Sequence, residues 1–169
     1  MKENQIEYVI LVDENDFETG KEEKLKAHQA GLLHRAFSVF LFRKKDGHIE
    51  LLLQQREKNK YHCGGLWANT CCSHPRLGET ITEAGRRRLK EEMGIDASLT
   101  CAGSFQYKAE FDNGLIENER DHVLVGWFDA DTDAALARLL PQDKTKNASG
   151  LRRAIGTDDR MPHVCSTEQ

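Results

Sequence analysis

The chain has 169 residues, which suits one domain, and 38% of them are hydrophobic, enough for a core. Charged residues make up 31% with a net charge of −4, a mixed balance that argues against a general nucleic-acid binder but leaves room for a local basic pocket. No apolar run approaches the roughly 20 residues of a membrane span, and none at the N-terminus resembles a signal peptide. The odd count of five cysteines (Cys63, Cys71, Cys72, Cys101 and Cys165) then fits free thiols in a reducing cytoplasm.

In chain order, Tyr8–Val12 reads as a short strand and Asp13–Asp16 as a turn. Lys21 to Gly31 is charged and of uncertain form. Ala36–Phe42 is rich in β-formers and reads as a buried strand. Asp46-Gly47 predicts a hairpin between that run and Ile49–Gln55. Residues 56 to 78 lack periodicity but concentrate reactive side chains, so they read as a long functional loop, or a short strand flanked by loops. Thr80 to Met93 predicts a helix with Ile81, Gly85, Leu89 and Met93 as its apolar stripe and Gly94 as its terminator. Strands follow near Ala102–Phe111 and His122–Phe128, joined by the turn Asp112-Asn113-Gly114. From Asp129 onward there is no aromatic residue. A helix is predicted near Ala134–Leu140, and the polar chain beyond Pro141 is expected to be poorly ordered. Strands around one strong helix predict an α+β fold or an α/β/α sandwich.

Four constellations carry chemistry. The helix and its entry loop hold Glu79, Arg87, Arg88, Glu91 and Glu92. Carboxylates beside a loop suit a hard divalent cation bound to phosphate oxygens. Arg88 and Glu92 stand one turn apart and share a face. The plain alternative is a solvated helix laced with ion pairs. The stretch resembles the Nudix box, reading Ser73-x5-Glu79-x7-Arg87-Arg88-Leu89-x-Glu91-Glu92-x-Gly94-Ile95, with Ser73 in place of a Gly and Arg88 in place of a Glu. Losing that Glu weakens the carboxylate cluster with which Nudix hydrolases bind metal. A basic residue there would instead attract diphosphate.

Asn69-Thr-Cys-Cys-Ser-His-Pro75 is the second constellation. Here the chain resembles the type 1 isopentenyl-diphosphate isomerases, as it also does at Gly31–Phe42 and Leu51–Arg56. The resemblance covers residues 5 to 128. It implies a catalytic Cys72 and a metal-ligating His74. The alternative for an adjacent cysteine pair is core filling.

His28, His34, His74, Glu117 and Glu119 form the third. Imidazole and carboxylate ligands suit Zn, Mn or Mg. His28 and His34 are six apart, so they need an irregular turn to meet. Glu117 and Glu119 are two apart, so a strand points both to one face. The resemblance assigns all five to one metal site, and Glu92 is added as a further candidate ligand. The fourth is the basic set Lys24, Arg56, Lys60 and Arg88, matched to diphosphate oxygens. For each, surface solubility is the alternative.

The implied reaction moves a double bond in a five-carbon diphosphate through a tertiary carbocation. It needs an acid and a base on opposite faces of the substrate. Glu119 with Tyr107 is expected on the donor side and Cys72 on the base side. Trp67 is a candidate wall for the cation. Mg is expected with the substrate diphosphate. No nucleic acid or membrane partner is expected. The resemblance implies that residues 1–140 form a Nudix-like isomerase domain of α+β class, an α/β/α sandwich with a mixed central sheet, and 141–169 an atypical, poorly ordered tail. The competing readings are a Nudix pyrophosphohydrolase and a catalytically impaired relic of the fold. The relic reading draws on the tail, which departs from the family.

Overall fold

A computed structural model of the chain describes residues 6–45, 47–55, 67–128 and 151–152. The predicted tail helix near Ala134–Leu140, and nearly all of the segment from 129 onward, fall outside these residues. The elements in order are β1 (Tyr8–Val12), β2 (Glu18–Glu23), α1 (Lys24–Ala30), β3 (His34–Lys45), β4 (His48–Leu52), β5 (Gln54–Gln55), β6 (Trp67–Ala68), β7 (Cys71–Ser73), α2 (Ile81–Met93), β8 (Leu99–Glu110), β9 (Ile116–Trp127) and β10 (Leu151–Arg152).

The sheet is mixed, as predicted. β3 is its spine. It pairs in parallel with β9 from His34↔Glu119 to Phe42↔Trp127, and antiparallel with β7, β4 and β1. β8 closes one side by an antiparallel ladder with β9. The hairpin expected at Asp46-Gly47 is present as the β3–β4 ladder, with Gly47 at φ 78°. The turn before β9 lies where predicted, with Gly114 at φ 78°. β9 begins at Ile116, six residues before the predicted strand. Its polar start, Glu-Asn-Glu-Arg-Asp, hides the strand from a reading based on β-formers.

Strand alternation sorts the chemistry from the core. On β3, Phe37, Val39 and Leu41 point to one face and are fully buried. Leu124 of β9, opposite Val39, joins them, as does Leu89 of α2. α2 packs closely because Gly85 has no side chain: a Cβ there would lie 2.4 Å from Leu124 Cδ1. The helix starts on a capping box, with Glu83 N donating to Thr80 Oγ1 (3.3 Å) and Thr80 N to Glu83 Oε2 (2.9 Å). It ends on left-handed Gly94, as predicted. His34, Ala36 and Ser38 take the opposite face of β3, where the reactive side chains gather.

Candidate functional site

The charged stretch from Lys21 to Gly31 resolves into the end of β2 and the short helix α1. Gly31 ends that helix in the left-handed conformation, at φ 62°. The chain then reverses into β3. This irregular turn brings His28 and His34 together, their ring centroids 4.7 Å apart. His74 follows β7 and keeps that strand's alternation. Glu119 lies opposite His34 on β9. One ligating atom from each of His28, His34, His74 and Glu119 falls within 4.8 Å of the others.

Contacts behind the rings fix how they face inward. His28 Nδ1 lies 2.7 Å from the Lys24 carbonyl, and His34 Nδ1 lies 2.8 Å from the Leu32 carbonyl. A carbonyl can only accept, so each Nδ1 carries the proton. In the neutral tautomer this leaves a bare Nε2 turned to the centre. Burial, the largest influence, lowers the pKa of both His28 and His74, favouring the neutral form that ligates metal. His34 Nε2 and His74 Nε2 are only 3.2 Å apart, and His74 Nε2 is 3.2 Å from Glu119 Oε1. Converging nitrogen lone pairs and a carboxylate are the donor set of a divalent cation.

Burial works to raise the Glu119 carboxyl. The hydrogen bonds it accepts from His74 and Tyr107 outweigh it and hold the group well below the ordinary range. The Tyr107 oxygen lies 2.7 Å from Glu119 Oε2 and 3.0 Å from Glu117 Oε2. Its single proton serves one carboxylate at a time. Burial first, then the charges of Glu119 and Glu117, hold this phenol strongly protonated. Glu117 and Glu119 thus share a face as expected, but Glu117 stands outside the group of four and is linked to it through Tyr107.

Cys72 lies on β7 opposite Ser38, on the face that carries His34 and Glu119, and is exposed. Cys71 points the other way, into the core, where burial raises its thiol. Adjacent cysteines therefore divide between filling and chemistry. Cys72 is two residues from His74, about 7 Å along an extended chain. The thiol and the metal-ligating group thus belong to one surface.

Lys24 forms an ion pair with Glu7 at 3.0 Å and bears electrostatically on His28 and His74. Arg88 pairs with Glu91 and Glu92. Glu92 also accepts from Gln54 Nε2 at 3.1 Å and is not one of the four grouped ligands. Glu79 is gripped twice by Arg87, at 2.6 and 2.9 Å, and also accepts from the Arg76 backbone. The carboxylates of the box-like helix are thus engaged by arginines. Among the described residues they form no metal-ligating group. Arg56, Lys60 and the Trp67 side chain lie outside the described residues.

Two residues of this face escaped the sequence reading. Asp121 is 5% exposed and accepts a hydrogen bond from Ser38 Oγ at 2.7 Å. Burial, with the charges of Glu119 and Glu117, pushes its carboxyl up to about 6 against the Ser38 hydrogen bond. The signal was strand parity: Asp121 continues the alternation of Glu117 and Glu119, and Ser38 that of His34.

The NUDIX domain model matches residues 32–149. The chain is 56% identical over 121 residues to an isopentenyl-diphosphate Delta-isomerase 2 of Aromatoleum aromaticum, a match covering 72% of this chain and 62% of that protein. It is 58% identical over 121 residues to an isopentenyl-diphosphate Delta-isomerase of Photobacterium profundum, covering 70% and 67%. To that of Serratia proteamaculans it is 51% identical over 129 residues, covering 76% and 70%. The matched segment thus spans roughly two thirds of these relatives' length. A solved Deinococcus radiodurans structure shares the fold at a TM-score of 0.56 and 21% identity, covering 73% of this chain and 74% of its own. Among the described residues, no helix is long and apolar enough to cross a membrane.

Proposed function

The chain belongs to the Nudix family and, within it, to the isopentenyl-diphosphate Delta-isomerases, and from that premise we propose that it converts isopentenyl diphosphate to dimethylallyl diphosphate in isoprenoid biosynthesis. The observation that carries the reading is the shared sheet face: the exposed Cys72 thiol stands one strand repeat from a His/Glu group that includes Glu119. Moving an unactivated double bond requires a proton added at one carbon and another removed nearby. Tyr107 and Glu119, sharing a proton across 2.7 Å, form the donor side. Cys72 takes the departing proton.

Lys24 and Arg88, with Arg56 and Lys60, hold the diphosphate head, since guanidinium forks match phosphate oxygens. Trp67 walls the five-carbon chain from water, and an aromatic face stabilises a desolvated cation by about 2 kcal/mol. His28, His34, His74 and Glu119, joined by Glu117, would hold a divalent cation (Mn, Mg or Zn), with Mg accompanying the diphosphate. When bound, that cation supplies the positive charge that fixes Glu119 and tunes its acidity. Glu92, tied to Arg88, is assigned to the diphosphate-bound Mg. The free thiol that the reaction needs fits a reducing, cytoplasmic setting.

The test is direct. The full chain, supplied with Mg or Mn and isopentenyl diphosphate, yields dimethylallyl diphosphate, and a chelator stops it. Phosphate release from nucleoside diphosphates without isomerisation would overturn the reading in favour of a hydrolase.

A further inference from the structure

The metal-ligating group draws on separate pieces of chain: His28 and His34 flank the α1–β3 turn, His74 follows β7, and Glu119 lies on β9 with Glu117 near it. Asn118 stands between the two glutamates, and strand alternation turns it to the opposite face. It has no part in the reaction as derived above. Its Nδ2 donates to the Gly31 carbonyl at 2.9 Å, joining residues 87 apart in sequence. The same turn meets β9 a second time: a Cβ on Gly31 would lie 3.2 Å from both Ile116 Cδ1 and Ile116 Cγ2.

The polarity of the contact is fixed. A carbonyl only accepts, so the Asn118 amide must present its NH2 to Gly31. Its oxygen then faces Gln106 of β8, whose Nε2 donates to Asn118 Oδ1 at 3.3 Å. Gly31 closes α1 by donating its own N–H to the Ala27 carbonyl. The next carbonyl along, that of Leu32, is the one that orients the His34 ring. The pinned peptide therefore sits between the helix that carries His28 and the contact that aims His34. With only seven residues, α1 is too short to be stable alone, so its place depends on tertiary contacts such as this one.

We infer that Asn118 is a positioning residue for the metal-ligating group: its amide clamps the turn between His28 and His34 onto the strand of Glu117 and Glu119. The inference rests on the metal-dependent reading of this face and adds the device that sets its geometry. Metal–ligand distances hold within about 0.2 Å of their ideal values. Without the clamp, the turn and both imidazoles drift relative to Glu119. Asn118 faces away from the reactive side, so the cost falls on metal affinity rather than on proton transfer.

Calorimetric titration of the chelator-treated full chain with Mn, in the absence of substrate, tests it on wild type, Asn118→Leu, Asn118→Asp and Gly126→Ala. Asn118→Leu keeps the size but removes the donor, and its Kd for Mn rises about 10-fold, the lower end of what supporting partners of metal ligands are worth. Asn118→Asp also removes the donor while adding a negative charge, which by attraction alone would tighten binding; its Kd rises as well. Gly126→Ala strains the core at the far end of the same strand, and its Kd stays within about two-fold of wild type. Melting temperatures identify the folded variants, and either Asn118 variant is sufficient. A folded Asn118 variant that binds Mn as tightly as wild type would overturn the inference, as would a Gly126→Ala protein that loses as much affinity as Asn118→Leu. In either case the isomerase reading would stand. A wild type that binds Mn but forms no dimethylallyl diphosphate would remove the isomerase reading and leave the clamp in place. A wild type that binds no Mn would remove the metal site, and the inference with it.

Discussion

Glu119→Gln keeps the shape of a buried side chain and removes the one negative charge among the four grouped ligands. Its Oε1 lies 3.2 Å from His74 Nε2 and 3.5 Å from His34 Nε2, so the charge sits where a bound cation would be held. Even residues that only support a metal ligand cost 10- to 100-fold in affinity when changed, and a direct anionic ligand costs at least about 100-fold. Metal at about 100 times the wild-type Kd stabilises the folded chain by about 2.7 kcal/mol. At about 2–4 °C per kcal/mol for a chain of this size, that raises Tm by about 5–11 °C. For the variant the same concentration only equals Kd, which is worth about 0.4 kcal/mol, or about 1 °C. The assay is thermal melting of chelator-treated protein with and without added Mn. A variant that keeps the full wild-type shift would show that Glu119 holds no cation.

Three further outcomes are expected. Gly126→Ala puts a Cβ 2.7 Å from the Ser98 carbonyl oxygen and 2.9 Å from Leu41 Cδ2, so it destabilises the fold by about 1–3 kcal/mol in urea unfolding; unchanged stability would contradict this packing. Thr70 is fully buried, and its Oγ1 accepts from Leu41 N (2.9 Å) while donating to the Leu52 carbonyl (2.7 Å). Thr70→Val orphans both and costs about 2–4 kcal/mol, read by the same method. The Arg87 hydrogen bond, the largest influence, holds the Glu79 carboxyl below its usual value. That pair therefore stabilises the fold above the unfolded carboxylate pKa of about 4.3, and the contribution fades as pH falls through the lower folded value. The Tm gap between wild type and Arg87→Met is wide at pH 7 and narrows in acid; a gap independent of pH would exclude this role.

The sequence announced the elements whose signals are local. The β-formers of Ala36–Phe42, the Asp46-Gly47 turn and the Thr80-to-Gly94 helix each depend on neighbours a few residues away, and each was placed correctly. β2 and α1 were missed because Glu18–Lys26 is dominated by charged residues, and α1 is stabilised by packing Ala27 rather than by an apolar stripe. The site was legible in its residues but not in its partition. Spacing put Glu117 and Glu119 on one face, yet only the fold shows that Tyr107 stands between Glu117 and the four grouped ligands. Likewise, nothing local distinguishes Cys71 from Cys72. The β3–β7 register does, by sending one into the core and the other to the reactive face. Ser38 and Asp121 went unread because their meeting spans 83 residues and depends on the parallel pairing of β3 with β9.

The most direct measurement compares wild type, Cys72→Ala and Glu119→Gln for dimethylallyl diphosphate formed from isopentenyl diphosphate at saturating Mg. The account predicts steady product from wild type and none above background from either variant, although both remain folded by melting. Near-wild-type turnover by the Cys72→Ala protein would contradict it, because a thiol that can be removed without loss is not the group that takes the proton.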